Sequence, residues 1–140
     1  MRLVVNTNRI IAALIRDSTS RAILFSDKFE FVTVGLTKVE LNRHKEAILR
    51  KAKISEADLE KLMSLIFSRV FVVSDVVIER TMEDAKRIMD GIDKDDTPFI
   101  ALALAVDNEG IWSDDPHFQE QNAVRVWTTK DLVGYLSTNI

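Results

Sequence analysis

Leu3-Val4-Val5-Asn6-Thr7-Asn8-Arg9-Ile10-Ile11-Ala12-Ala13-Leu14-Ile15 changes period in its middle. Leu3 to Val5 is a short apolar run rich in β-branched residues, as in a strand buried on both faces. From Ile10 onward the apolar residues fall at 10, 11, 14 and 15, the stripe of an amphipathic helix. Asn6 stands at the junction, where a strand hands over to a helix. A strand feeding a helix within so few residues predicts a βα unit and, if repeated, a parallel sheet.

The unit does repeat. Apolar runs at residues 29–34, 70–73, 110–112 and 124–127 read as further strands. Between them, Ala22, Ile23, Leu24 and Phe25 give a second helical stripe. Residues 39–51 are amphipathic, and Leu59, Leu62, Met63, Ile66 and Phe67 follow Ser55, a plausible N-cap before Glu56 and Asp58. More helices are predicted over 76–89, 98–106 and 130–136. The expected fold class is α/β, a three-layer α/β/α sandwich on a central, mostly parallel sheet, with residues 1–140 as one domain. In such sheets ligands gather beyond the carboxyl ends of the strands, where Asn6 and Asp115 fall.

Composition narrows the function classes. The 140 residues are 46% hydrophobic and 29% charged, with 4 Gly and 2 Pro, as expected of a helix-rich globular protein. Zero Cys excludes disulfides, thiolate metal sites and Cys nucleophiles. The net charge of −3 advertises no polyanion partner in bulk; basic residues would have to cluster locally. Arg43, His44, Lys45, Arg50, Lys51 and Lys53 are the best such cluster, either a solvated helix face or a phosphate-contacting rim beside Glu40. The opening residues hold too short an apolar run for a signal peptide and no run is of membrane-spanning length, so a cytoplasmic location without membrane contact is the expectation. No glycine-rich phosphate loop exists, and Ser18, Thr19 and Ser20 lack triad partners. Trp112 and Trp127 read as core; His44 and His117 read as surface residues.

Four polar residues at element boundaries, Asn6, Glu40, Asp96 and Asp115, carry the functional argument. Singly, each has a structural reading. Thr37 and Glu40 spell a T-x-x-E capping box, Asp96 precedes Thr97-Pro98 as a helix cap would, Asp115 precedes Pro116, and Asn6 can organise a turn. Their convergence on one sheet edge, with Asp93, Asp95 and Asp114 alongside, is not explained by stability, because clustered carboxylates repel. A hard divalent cation with oxygen ligands is the usual compensation.

With these residues in place, the chain resembles the PIN-domain family. V-V-N-T-N-R-I-I-A-A-L-I (residues 4–15) is similar to the family opening, in which strand one ends in Asp-Thr/Ser-Asn. K-V-E-L (38–41), D-D-T-P-F-I-A-L-A-L (95–104) and I-W-S-D-D-P-H-F (111–118) resemble the second, third and fourth acidic motifs. The style is that of small prokaryotic single-domain members, similar to VapC-type toxins. The resemblance implies a Mg²⁺- or Mn²⁺-dependent ribonuclease with Asn6, Glu40, Asp96 and Asp115 as catalytic and metal-site positions. Within the motifs, the spacing to A-L-A favours Asp96 over Asp95, and the steps to Trp112 and Phe118 favour Asp115 over Asp114. Asn8 would order the loop, Ser113 would touch a ligand water, and Asp93 or Asp114 would serve as outer carboxylates. RNA is the implied partner, along with an antitoxin protein if the chain is a toxin, and a homodimer contact through Phe25, Phe29 or the Phe67 helix.

One departure matters. Asn6 stands where the family has its first Asp, and a neutral amide compensates a cation less than a carboxylate does. It reads as an introduced silencing substitution, as a natural feature of an attenuated enzyme or binding module, or as a gap filled by a neighbouring acid. A third functional class, a receiver-like phosphoacceptor, would need an acidic pair after strand one and a late Lys. Asn6-Thr7 does not supply the pair.

Overall fold

The structure is a computed structural model, and it describes residues 1–16 and 18–138. Five parallel strands form one sheet: β1 (Arg2–Val5), β2 (Glu30–Val34), β3 (Val70–Val73), β4 (Ile111–Trp112) and β5 (Val126–Trp127), in the order β3-β2-β1-β4-β5. α1 (Thr7–Ile15) and α2 (Ser18–Leu24) follow β1, and α3 (Leu36–Arg43), α4 (Lys45–Ala52) and α5 (Glu56–Phe67) follow β2. After β3 come α6 (Asp75–Glu79), α7 (Met82–Met89), a 3-10 turn at Lys94–Asp96 and α8 (Thr97–Ala105). A second 3-10 turn, Pro116–Glu120, links β4 to β5, and α9 (Thr129–Thr138) follows.

Alternation along the strands divides the apolar residues between two cores. Leu3 and Val5 of β1 face a core that includes Ile10, Ile23, Leu41, Ile48, Ile66 and Leu132, contributed by α1 to α5 and α9. Val4 points the other way, toward Ile78, Ala85, Met89, Ile100 and Leu102 on α6, α7 and α8. Both faces of the sheet are therefore covered, and the fold is the three-layer α/β/α sandwich expected of a wholly parallel sheet. Trp112 and Trp127 are buried core residues. Among the described residues no helix is long and apolar enough to cross a membrane.

Several local expectations change. The amphipathic segment 39–51 is two helices, broken at His44 (φ −96°, ψ 7°), and the segment 76–89 breaks at Arg80 and Thr81. No Gly or Pro marks either break. The T-x-x-E capping box does not form. α3 starts earlier than that reading requires, with Gly35 at its N-cap and no side-chain cap bond. A Cβ at Gly35 would lie 3.1 Å from Asp75 Oδ1, so the start of α6 comes close to this N-cap. Ser55 does cap α5, accepting the Asp58 N–H. Phe29 is 2% exposed and belongs to the core, so it cannot serve a dimer contact. The sheet order also differs from the 2-1-3-4-5 order of receiver-type folds, which removes that alternative.

Gly110 starts the β4 segment with φ +134°, a conformation that L side chains rarely adopt. A Cβ there would stand 2.5 Å from the Arg125 carbonyl oxygen and 2.9 Å from Trp127 Cδ1. Gly110→Ala is expected to destabilise the fold by about 3 kcal/mol, combining backbone strain with a clash against rigid backbone. Urea denaturation would show this as a lower midpoint at unchanged slope. An unchanged midpoint would mean that β4 and β5 separate freely.

Candidate metal centre and active site

The sheet order reverses between β1 and β4, which makes a crevice at their carboxyl ends. Val5 pairs with Trp112 across this point, and the Asn6 N–H donates to the Trp112 carbonyl at 3.3 Å. Asn6 is 3% exposed and caps α1, its Oδ1 accepting the Asn8 N–H at 2.7 Å. The turn-organising reading of Asn6 is therefore satisfied, with one lone pair of its amide oxygen already engaged.

Thr7 begins a buried hydroxyl network that reaches Glu40. Thr33 Oγ1 donates to the Val5 carbonyl at 2.9 Å, Thr33 and Thr37 are 2.9 Å apart, and so are Thr37 and Thr7. Thr7 Oγ1 also donates to Glu40 Oε1 at 3.2 Å. A hydroxyl has one proton, and Thr33 gives its own to Val5, so Thr37 donates to Thr33. Thr7 is then shared between Thr37 and Glu40. Strand β2 is thus linked through hydroxyls to the Glu40 side chain of α3. Thr37→Val leaves buried hydroxyls on both sides short of a partner, at an expected cost of about 1–2 kcal/mol. Comparing its thermal melt with that of Thr37→Ser, which keeps the hydroxyl, separates the lost bonds from changed packing; equal losses in the two variants would discount the network.

The acids on the other wall meet around an imidazole. His117 Nδ1 is 3.1 Å from Asp93 Oδ2, 3.3 Å from Asp115 Oδ1 and 3.7 Å from Asp96 Oδ2. Asp93, Asp96 and His117 each offer a ligand atom within 4.8 Å of the others. The two 3-10 turns create this arrangement. Asp93 and Asp96 are three residues apart about Lys94–Asp96, and side chains at that spacing nearly eclipse in a 3-10 turn. Asp115 caps the other turn, accepting the His117 N–H at 3.0 Å, which brings the imidazole back over it. Asp93 Oδ1 accepts the Asp95 N–H at 2.9 Å.

Asp96 occupies the N-cap position of α8 but makes no side-chain cap bond. It is 8% exposed, and its Oδ2 is buried without a hydrogen-bond partner among the described residues. Burial, then the neighbouring carboxylates of Asp115 and Asp93, push its pKa up to about 7, with His117 opposing the rise. Asp114, by contrast, is committed to structure. It accepts the Thr129 N–H at 2.7 Å and the Thr129 hydroxyl at 2.6 Å, and it pairs with Arg9 at 2.8 Å. Ser113 Oγ accepts the Asp115 N–H at 3.0 Å and so positions that acid.

A buried, unpartnered carboxylate oxygen beside two further carboxylates and an imidazole nitrogen fits a hard divalent cation. A nitrogen donor among oxygens favours Mn²⁺ over Mg²⁺ at equal availability. Of the four positions expected from sequence, Asp96 and Asp115 share the His117 cluster, while Glu40 is bonded to Thr7, the residue after Asn6. Glu40 does not join the Asp93–Asp96–His117 group. His117 is exposed, as its sequence reading as a surface residue expects, yet its Nδ1 lies among the three carboxylates; the Asp-Pro-His run was the available signal for that second role. Arg9 was also missed; it holds the α1 start to Asp114.

In a parallel α/β sheet, the switch point where these acids gather is where ligands bind. Residues 4–137 match the PIN-domain family, and the chain belongs to it. PIN domains are generally nucleases and typically use divalent metals. A comparison with curated proteins returned no match.

Proposed function

We propose that this chain is a divalent-metal-dependent ribonuclease whose activity is attenuated by Asn6. The observation that carries the reading is the orphaned, buried Asp96 Oδ2 inside a cluster of acids, an arrangement that a cation would complete. Asp93, Asp96, Asp115 and His117 would hold the ion, with Glu40 facing them across the crevice. Bound there, Mn²⁺ or Mg²⁺ supplies Lewis acidity toward a phosphodiester and acidifies a water molecule. The chain's own groups orient and exchange protons. Thr7 holds Glu40 Oε1 in place to receive a proton from the attacking water. Asn6, buried and tied to the Asn8 N–H, adds an oxygen dipole but no negative charge.

A catalytically weak RNA-binding module is the second reading, and the engaged Asn6 amide favours it. The two part in one experiment: cleavage of a single-stranded RNA panel with Mn²⁺ by the chain as it stands and by Asn6→Asp. Cleavage that appears with Asn6→Asp and vanishes with EDTA supports the nuclease; an inert Asn6→Asp form overturns it.

A further inference from the structure

A pocket of about 210 Å³ lies between α1 and α4, lined by Asn8, His44 and Lys51, which are exposed, and by Ile11, Ile15 and Ala47, which are half-buried. Its walls are tied by backbone to Asn6 and Glu40. The Asn8 N–H is held by Asn6, and the His44 N–H donates to the Glu40 carbonyl at 3.0 Å. Its volume is below the roughly 300–1,000 Å³ of drug-sized ligand sites, which suits one planar ring system rather than a larger molecule.

The charge around it is distinctive. Residues 43–53 hold Arg43, Lys45, Arg50, Lys51 and Lys53 against the single acid Glu46, in a chain whose net charge is −3. Lys45 pairs with Glu56, whereas Arg43, Arg50, Lys51 and Lys53 form no ion pair among the described residues. Unpaired cations beside an apolar, imidazole-edged pocket match a strand that has phosphates outside and bases to bury.

We propose that the α1–α4 pocket is a base-binding subsite for single-stranded RNA, in which His44 stacks on one nucleobase, Asn8 contacts its edge and Lys51 holds an adjoining phosphate. The subsite rests on the proposed action of the neighbouring crevice on RNA. It places a base beside the Asn6–Glu40 wall and so influences which phosphodiester enters the crevice.

The test is fluorescence anisotropy in EDTA with a labelled single-stranded RNA of about eight nucleotides and an abasic strand of the same length. His44→Ala and Ala47→Phe, the latter filling the pocket, are each expected to weaken the base-bearing strand at least about fivefold and to leave the abasic strand within about twofold. Lys51→Ala should weaken both strands alike and reduce the slope of log affinity against log salt by about 0.7. The proposal is overturned if the unmodified chain binds the two strands equally, or if Ala47→Phe leaves the base-bearing strand unaffected. The second outcome is the one expected if an apolar peptide or a second copy occupies the pocket. Cleavage by Asn6→Asp, measured separately, keeps the two readings apart. An inert Asn6→Asp form with intact base discrimination removes the nuclease and keeps the subsite; active cleavage without discrimination removes only the subsite.

Discussion

Asn6→Asp is expected to raise Mn²⁺-dependent cleavage of single-stranded RNA by about 100-fold or more over the chain as it stands, in line with the cost of disturbing a metal shell. The substitution is a clean probe because the local structure has no reason to change. Asp caps a helix as well as Asn does, and either side-chain oxygen can accept the Asn8 N–H now held at 2.7 Å. A carboxylate at the start of α1 also complements the helix dipole. What changes is charge. The crevice already holds Asp93, Asp96, Asp115 and Glu40, so a further carboxylate adds repulsion without metal and attraction with it. Asn6→Asp should therefore melt at or below the original chain in EDTA and gain more from Mn²⁺. Equal gains would place the ion away from residue 6. Strong cleavage by the unmodified chain would mean that the acids already present complete the shell without a carboxylate at residue 6.

How much of this was legible in the sequence depends on the length scale of the cause. Period changes in the chain located the strands and the helices beside them, and Ser55 announced the start of α5. The three-layer fold followed from alternation alone. What escaped was decided by tertiary contact. α3 starts with Gly35 at its N-cap, where Asp75 comes close, rather than at the Thr37 that the T-x-x-E spacing pointed to. Thr37, which the pattern assigned to capping, instead joins three elements through hydroxyls. At the site, boundary position drew attention to Asp96, at the N-cap of α8, and Asp115, at the N-cap of the second 3-10 turn. His117 was undervalued because its role depends on a 3-10 turn, a conformation with little hydrophobic period to read. Asp114 and Asp115 are chemically identical neighbours; motif spacing favours Asp115, and the Arg9 and Thr129 contacts show that Asp114 is committed to structure.

Asp96→Asn is expected to stabilise the metal-free protein at pH 8 and to abolish most of its response to Mn²⁺. The folded chain holds the Asp96 proton up to about pH 7, against a reference value of 3.8. Between those values the folded state binds more protons than the unfolded state, so stability falls as pH rises through this window and levels off above it. Asn carries no such charge, and its amide N–H groups can donate to Asp93 or Asp115. The gain should be about 1–2 kcal/mol at pH 8, less than full linkage because the neighbouring carboxylates are partly solvated. It should shrink toward zero near pH 4. With Mn²⁺ the order reverses: the original chain rises in melting temperature, more at pH 8 than at pH 6 because the ion competes with a proton. The variant should rise little, and in the Asn6→Asp background it should lose about 100-fold in cleavage. Melting curves at pH 4, 6 and 8, each with EDTA and with Mn²⁺, test both halves. If the variant and the original chain melt together in EDTA at every pH, burial and crowding do not strain Asp96. If the Mn²⁺ shift survives the substitution, the ion is held elsewhere, and the orphaned oxygen loses its explanation.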